Sequence, residues 1–177
     1  MRYAVLLRGV NVGGRNKIAM ADLRQILGEL GYADVKTHLQ SGNAVLSSEL
    51  PSDQLANEIA GELSGRLGLG CAVLIRNRAE LAEVVAGNPL GREPDNPSHY
   101  FVAFLSAAPE AAATARLREQ DFGPDRAWIE GSHGYMWCPH GMADTKLTYA
   151  LLEKQLGVVA TARNWNTVRK LAELTAE

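Results

Sequence analysis

Apolar positions along the chain change period repeatedly, and each change marks an element. Residues 3–10 are β-rich and apolar (Tyr3, Ala4, Val5, Leu6, Leu7, Val10), the pattern of a buried strand. Residues 11–17 are polar and glycine-bearing, which predicts a loop. Leu23, Ile26, Leu27 and Leu30 then recur at helical spacing, and Gly31 supplies a stop. Residues 35–39 and 43–46 read as short strands around Ser41-Gly42, a hairpin signal. Pro51-Ser52 opens a helix that directs Leu55, Ile59, Leu63 and Leu67 to the core, and residues 71–75 form another buried strand.

That order is β-α-β-β-α-β, the ferredoxin-like arrangement. Residues 78–86 add a helix, and 88–97, with Pro89, Pro94 and Pro97, read as a connection. The pattern then starts again. A strand at 100–105, a helix at 110–119, strands at 127–130 and 135–137 and a helix at 146–156 precede a final helix at 163–174, with Thr161 as its cap. The predicted class is therefore α+β: a ferredoxin-like unit, a related second half and a C-terminal helix. Residues 1–76 form the first half, 77–97 the helix and connection, and 98–177 the second half, in one compact protein. Residue-by-residue similarity between the halves is slight. In this arrangement the first two strands run in the same direction, which sets loop 8–17 beside the turn at 40–43.

Composition narrows the classes. A hydrophobic fraction of 46% over 177 residues suits a packed interior and excludes general disorder. Eighteen basic against twenty acidic residues, a net charge of −2, argues against sequence-blind duplex binding, which needs a strongly basic face. The N-terminus lacks the apolar core of a signal peptide, and no apolar run is long enough to span a bilayer. A cytoplasmic protein with no membrane partner is expected. Cys71 and Cys138 sit in apolar segments, which predicts two buried thiols and no disulfide framework.

The segment Arg8-Gly9-Val10-Asn11-Val12-Gly13-Gly14-Arg15-Asn16-Lys17 leaves a buried strand with three glycines after Arg8 and carries three cations. Glycines let backbone N–H groups turn toward an anion, and the cations add charge. The plainer alternative is a tight strand-to-helix turn with solvated charges. A Walker A site is excluded, because Arg15-Asn16 stands where Lys-Ser/Thr is required. Gln40-Ser41-Gly42-Asn43 reads first as a hairpin turn. Ser41 is no nucleophile elbow, since Leu39 holds the position where that motif has glycine. His133, Cys138 and His140 lack paired-ligand spacing, so no metal or cofactor is assigned, and no catalytic dyad or triad is legible.

In Thr161-Ala162-Arg163-Asn164-Trp165-Asn166-Thr167-Val168-Arg169-Lys170, helical periodicity puts Trp165, Val168, Leu171 and Ala172 on one face. Arg163, Asn166 and Lys170 fall on the other, and Trp165 is expected to be buried. Lys146 is placed at the opening of the preceding helix, where a cation opposes the macrodipole. The candidate ligand set is Arg8, Asn11, Gly13, Gly14, Lys17, Ser41, Asn43, Lys146, Arg163, Asn164, Asn166 and Lys170. Arg8, Lys17, Asn43 and Arg163 are expected to line one anion-accepting cleft.

RGVNVGGRNK at 8–17, LQSGNAV at 39–45 and TARNWNTVRKL at 161–171 together resemble the domain of unknown function 1697 family, over essentially the whole chain. The match falls on Arg8, Gly9, Asn11, Gly13, Gly14 and Lys17, then Ser41, Gly42 and Asn43, then Arg163, Asn164, Trp165, Asn166 and Thr167. The resemblance implies a bacterial-type soluble protein of similar length and carries no assigned activity. The residues themselves favour binding of a small anionic or phosphate-bearing ligand, a class that includes nucleotides and single-stranded nucleic acid. Two alternatives stand beside it. One is an enzyme on such a ligand, with Lys17, Lys146 and Arg163 stabilising developing charge. The other is a non-catalytic interaction or oligomerisation module that uses the sheet's edge strands, with its oligomeric state left open.

Overall fold

Strand β1 (Arg2–Leu7) is an inner strand of its sheet and is buried on both faces from Tyr3 to Leu7, with Tyr3, Val5 and Leu7 in the core beneath the helices. In a computed structural model that describes residues 1–177, it is followed by α1 (Met20–Glu29), β2 (Ala33–His38), β3 (Asn43–Ser47), α2 (Ser52–Leu67), β4 (Val73–Asn77) and α3 (Arg78–Ala86). The strands make one antiparallel sheet in the order β2-β3-β1-β4. Leu23, Leu27, Leu55, Ile59 and Leu63 project from α1 and α2 and are completely buried with Val5, Leu7, Ala44 and Leu46. Each such Leu or Ile contributes about 1.5–3 kcal/mol of burial.

The second half of the chain repeats this order with β5 (Tyr100–Leu105), α4 (Ala111–Arg118), β6 (Arg126–Glu130), β7 (His133–Trp137), α5 (Tyr149–Leu156), β8 (Ala160–Asn164) and α6 (Trp165–Ala176). Its sheet, β6-β7-β5-β8, has the strand order of the first. The chain divides into two compact units, Met1–Glu83 with Leu171–Glu177, and Val84–Lys170. Within the first, Arg2 donates from Nε and Nη2 to the Leu174 carbonyl at 3.2 and 3.1 Å. Within the second, Trp165 is 1% exposed, packs its ring 5.3 Å from that of Tyr100 and donates Nε1–H to Glu93 at 3.0 Å. The expected burial of Trp165 holds.

Several boundaries differ from the sequence reading, each for a local reason. β1 ends at Leu7 rather than residue 10, because Gly9 and Asn11 take positive φ and turn the chain out of the sheet. Leu67, expected in the core, falls in the last turn of α2 and is 44% exposed. Cys71 is half-buried in the loop before β4, whereas Cys138 is buried. Residues 160–164 were expected to lead into a helix beginning at 163 but form β8, paired antiparallel with β5 from Leu105↔Ala160 to Phe101↔Asn164. Thr161 is therefore a strand residue and caps nothing. Lys146 lies in the loop before α5, which Thr148 caps by accepting from Leu151 N. The macrodipole conflict expected for Lys146 does not arise.

A second repeat emerges at the strand-to-helix junctions. Arg76-Asn77 closes β4 and Arg163-Asn164 closes β8, at the same register against β1 and β5. Both arginines are buried, and each donates from Nη1 to the carbonyl of the preceding residue at 2.8 Å. Both asparagines accept the backbone N–H three residues on, from Glu80 and from Thr167, at 3.0 Å. Each thereby caps the helix that follows.

Candidate functional site

The loop from 8 to 19 is a miniature hairpin built by asparagines. Asn11 N donates to Asn16 O and Arg15 N to Val12 O, both at 3.1 Å, closing a bridge between Val12 and Arg15. Gly13 (φ 58°) and Gly14 (φ 75°) hold the two central turn positions, where a side chain would be strained. The Asn11 carboxamide donates to Ile18 O (2.9 Å) and Gln40 O (2.6 Å) and accepts from Ile18 N (2.9 Å). Asn16 donates to Gly9 O at 3.2 Å.

These bonds fix the loop against the turn between β2 and β3, at the shared end that parallel β1 and β2 create. Leu7 N donates to Gly42 O and Arg8 N to Ala72 O, both at 2.9 Å. Gly42 has φ 79°, and a Cβ there would lie 2.4 Å from Val10 Cγ2 and 2.9 Å from Leu7 Cβ. Only glycine fits. Asn43 is completely buried and donates from Nδ2 to His38 O (3.0 Å) and Ser41 Oγ (2.9 Å). The side chains of Asn11, Ser41 and Asn43 thus build the end of the sheet.

What this scaffold presents outward is Arg15 and Lys17, both exposed and in no ion pair. Arg8 is half-buried at the base of the loop. Gly14, Lys17, Ile18, Asp22, Gln40 and Leu67, with Asn11 and Ala19, line an open hollow of about 450 Å³. The first turn of α1 opens there without a side-chain cap, its positive end facing the hollow together with the Asp22 carboxylate of the same turn, which offsets part of that charge. Of the expected residues, Asn11, Gly14 and Lys17 meet around this hollow. Arg15, Asp22, Gln40 and Leu67 were not among the candidates. Arg15 was visible as the third cation of its segment, whereas the other three come together through tertiary folding.

Lys146, Arg163, Asn164, Asn166 and Lys170 belong to the second unit. Arg163 was expected on the polar face of a helix but points from β8 into the interior, donating to Thr161 Oγ1 at 2.7 Å and Ala162 O at 2.8 Å. Burial pulls its guanidinium down to about 10, partly offset by Tyr149. Asn164 is occupied as a helix cap. Lys146, Asn166 and Lys170 are exposed, with Asn166 Nδ2 3.5 Å from Ser98 Oγ. No helix is long and apolar enough to cross a membrane.

Two ferredoxin-like units, the first carrying an elaborated cationic loop, define the class of protein. The chain belongs to the family described as "Protein of unknown function (DUF1697)", which it matches over residues 1–135. The segment 161–171 lies beyond the matched residues. No curated protein matches the chain. Among solved structures, a conserved bacterial protein, SP0830 from Streptococcus pneumoniae, is 23% identical, covers 98% of each chain and superposes with a TM-score of 0.67. At that identity the likeness establishes a shared fold.

Proposed function

We propose that the β1–α1 end of the first unit binds a small phosphate-bearing anion. The carrying observation is that a loop braced by Asn11 holds Arg15 and Lys17 outward, neither in an ion pair, with Lys17 on the wall of the hollow. Arg8 lies at the loop's base, and the uncapped start of α1 supplies N–H donors of the right polarity. The hollow has no aromatic lining, which favours a compact anionic group over the stacked bases of single-stranded nucleic acid.

Calorimetric titration of the intact chain with pyrophosphate and AMP tests this. Binding is expected to weaken as salt rises, because the cations are exposed. It should be lost in the Arg15→Ala, Lys17→Ala double variant with the fold retained, and weakened in Arg8→Ala. Equal affinity in the double variant and the parent would sink the proposal.

A further inference from the structure

A second cavity lies wholly within the second unit and shares no residue with the anion site. It has a volume of about 250 Å³, below the ~300–1,000 Å³ of drug-sized sites, so any occupant is small. Leu117, Phe122 and Ile129 give it an apolar wall, and Arg118, Arg126 and Asp125 bring charge, with Asp121 beside them. Asp125 is the unusual member. Its residue is 7% exposed, and it forms no ion pair. Oδ2 accepts from the Thr145 hydroxyl, which in turn accepts from Leu147 N at 2.9 Å and from the Cys138 thiol at 3.5 Å. Oδ1 bonds to no protein group, yet it is not sealed from solvent.

A nearly buried carboxylate without a cation is costly, and an external ammonium would offset that cost. A bare metal ion suits the place poorly, because two guanidinium groups line the same cavity. Arg126 is held there by bonds from Nη1 to Gly123 O and Asp125 O, both at 3.0 Å. Positive and negative groups on one small cavity with an apolar wall complement a zwitterion. We propose that this cavity binds a small α-amino acid with an apolar side chain. The ammonium meets Asp125 Oδ1, the carboxylate meets Arg118 and Arg126, and the side chain lies on Leu117, Phe122 and Ile129.

The test is titration of the ¹⁵N-labelled full chain with glycine, L-alanine, L-valine and L-leucine, followed by amide shifts. Saturable shifts centred on residues 117–129 are expected for at least one apolar member. N-acetylation of that amino acid, or its replacement by the matching amine, should each weaken binding by roughly tenfold or more, the loss of one charge-assisted bond. Asp125→Asn should do the same, and Arg118→Gln, at an exposed position, gives a variant independent of the Thr145 contact. Absence of saturable shifts in that region for the whole panel would overturn the assignment. So would an N-acetyl derivative that binds as well as its parent amino acid.

Discussion

The two units share one strand order and one Arg-Asn junction, yet they spend their extra residues at different places. In the first, the connection from β1 to α1 runs from 8 to 19 and carries Arg8, Arg15 and Lys17 on a hairpin braced by Asn11. In the second, the equivalent connection is 106–110, Ser-Ala-Ala-Pro-Glu, with no cation. The reverse holds between the third strand and second helix: residues 48–51 suffice in the first unit, whereas 138–148 fill that place in the second, with Cys138, Thr145 and Lys146. The repeated sheet keeps one strand order in both halves, and the two differ in which strand-to-helix connection is lengthened.

The largest expected effect separates the two junctions. After Asn164 stands Trp165, buried against Tyr100; after Asn77 stands Arg78, exposed. Trp165→Ala should cost about 3–5 kcal/mol, whereas Arg78→Ala should stay within about 0.5 kcal/mol. Urea denaturation midpoints of the two variants measure the contrast. Similar losses at both positions would break the view that the second junction alone became a core anchor.

Next in size is a contrast between glycines at the anion end. Gly42→Ala combines a left-handed backbone with a collision against Leu7 and Val10, and should cost about 2–4 kcal/mol. Gly14→Ala meets open space and bears only the backbone strain, about 1 kcal/mol. Thermal midpoints that fall equally would show that the turn around Gly42 relaxes easily, loosening the brace on the loop.

Most strands and helices were legible because their apolar residues sit at clear period 2 or 3.6, as in α1 and α2. β8 was not. Ala160-Thr161-Ala162-Arg163-Asn164 has no strong apolar alternation, and its strand state comes from pairing with β5 across the sheet. The same override misplaced Arg163, whose long side chain reads as solvent-facing until its burial is seen. The two Arg-Asn pairs were in plain view as letters. Their meaning as equivalent caps depends on knowing that each closes the fourth strand of its sheet. At the anion end, topology predicted the meeting of loop and turn correctly, since parallel first and second strands require it. It gave no hint that Asn11 and Asn43 would be consumed in building that end, which depends on individual hydrogen bonds.

The junction caps offer a smaller and more even test. Asn77→Ala and Asn164→Ala each remove an acceptor for a first-turn N–H, so each should cost about 1 kcal/mol. In the first unit Glu80 also accepts from Asn77 N at 2.7 Å, completing a reciprocal box that the second unit, with Thr167 there, lacks. That bond survives Asn77→Ala, so the first-unit variant should suffer slightly less. A much larger loss for Asn77→Ala would contradict the equivalence of the junctions.

The smallest stability effect belongs to the residues with the largest proposed functional one. Arg15 and Lys17 are exposed, close in sequence and in no ion pair, so truncating either removes little packing and relieves like-charge repulsion. The Arg15→Ala, Lys17→Ala variant should match the parent within about 0.5 kcal/mol in phosphate-free, low-salt buffer. Adding salt should raise the parent's midpoint toward the variant's, because screening removes the repulsion the variant lacks. Pyrophosphate should separate the two in the other direction. A ligand that binds the folded chain stabilises it by about 2.7 kcal/mol at a hundred times its dissociation constant, and the variant should gain nothing. Midpoints measured in salt and in pyrophosphate at matched ionic strength distinguish screening from binding. If the parent responds identically to both, the cations of this loop are solvated surface charges, and the first unit's longer connection has a purely architectural role.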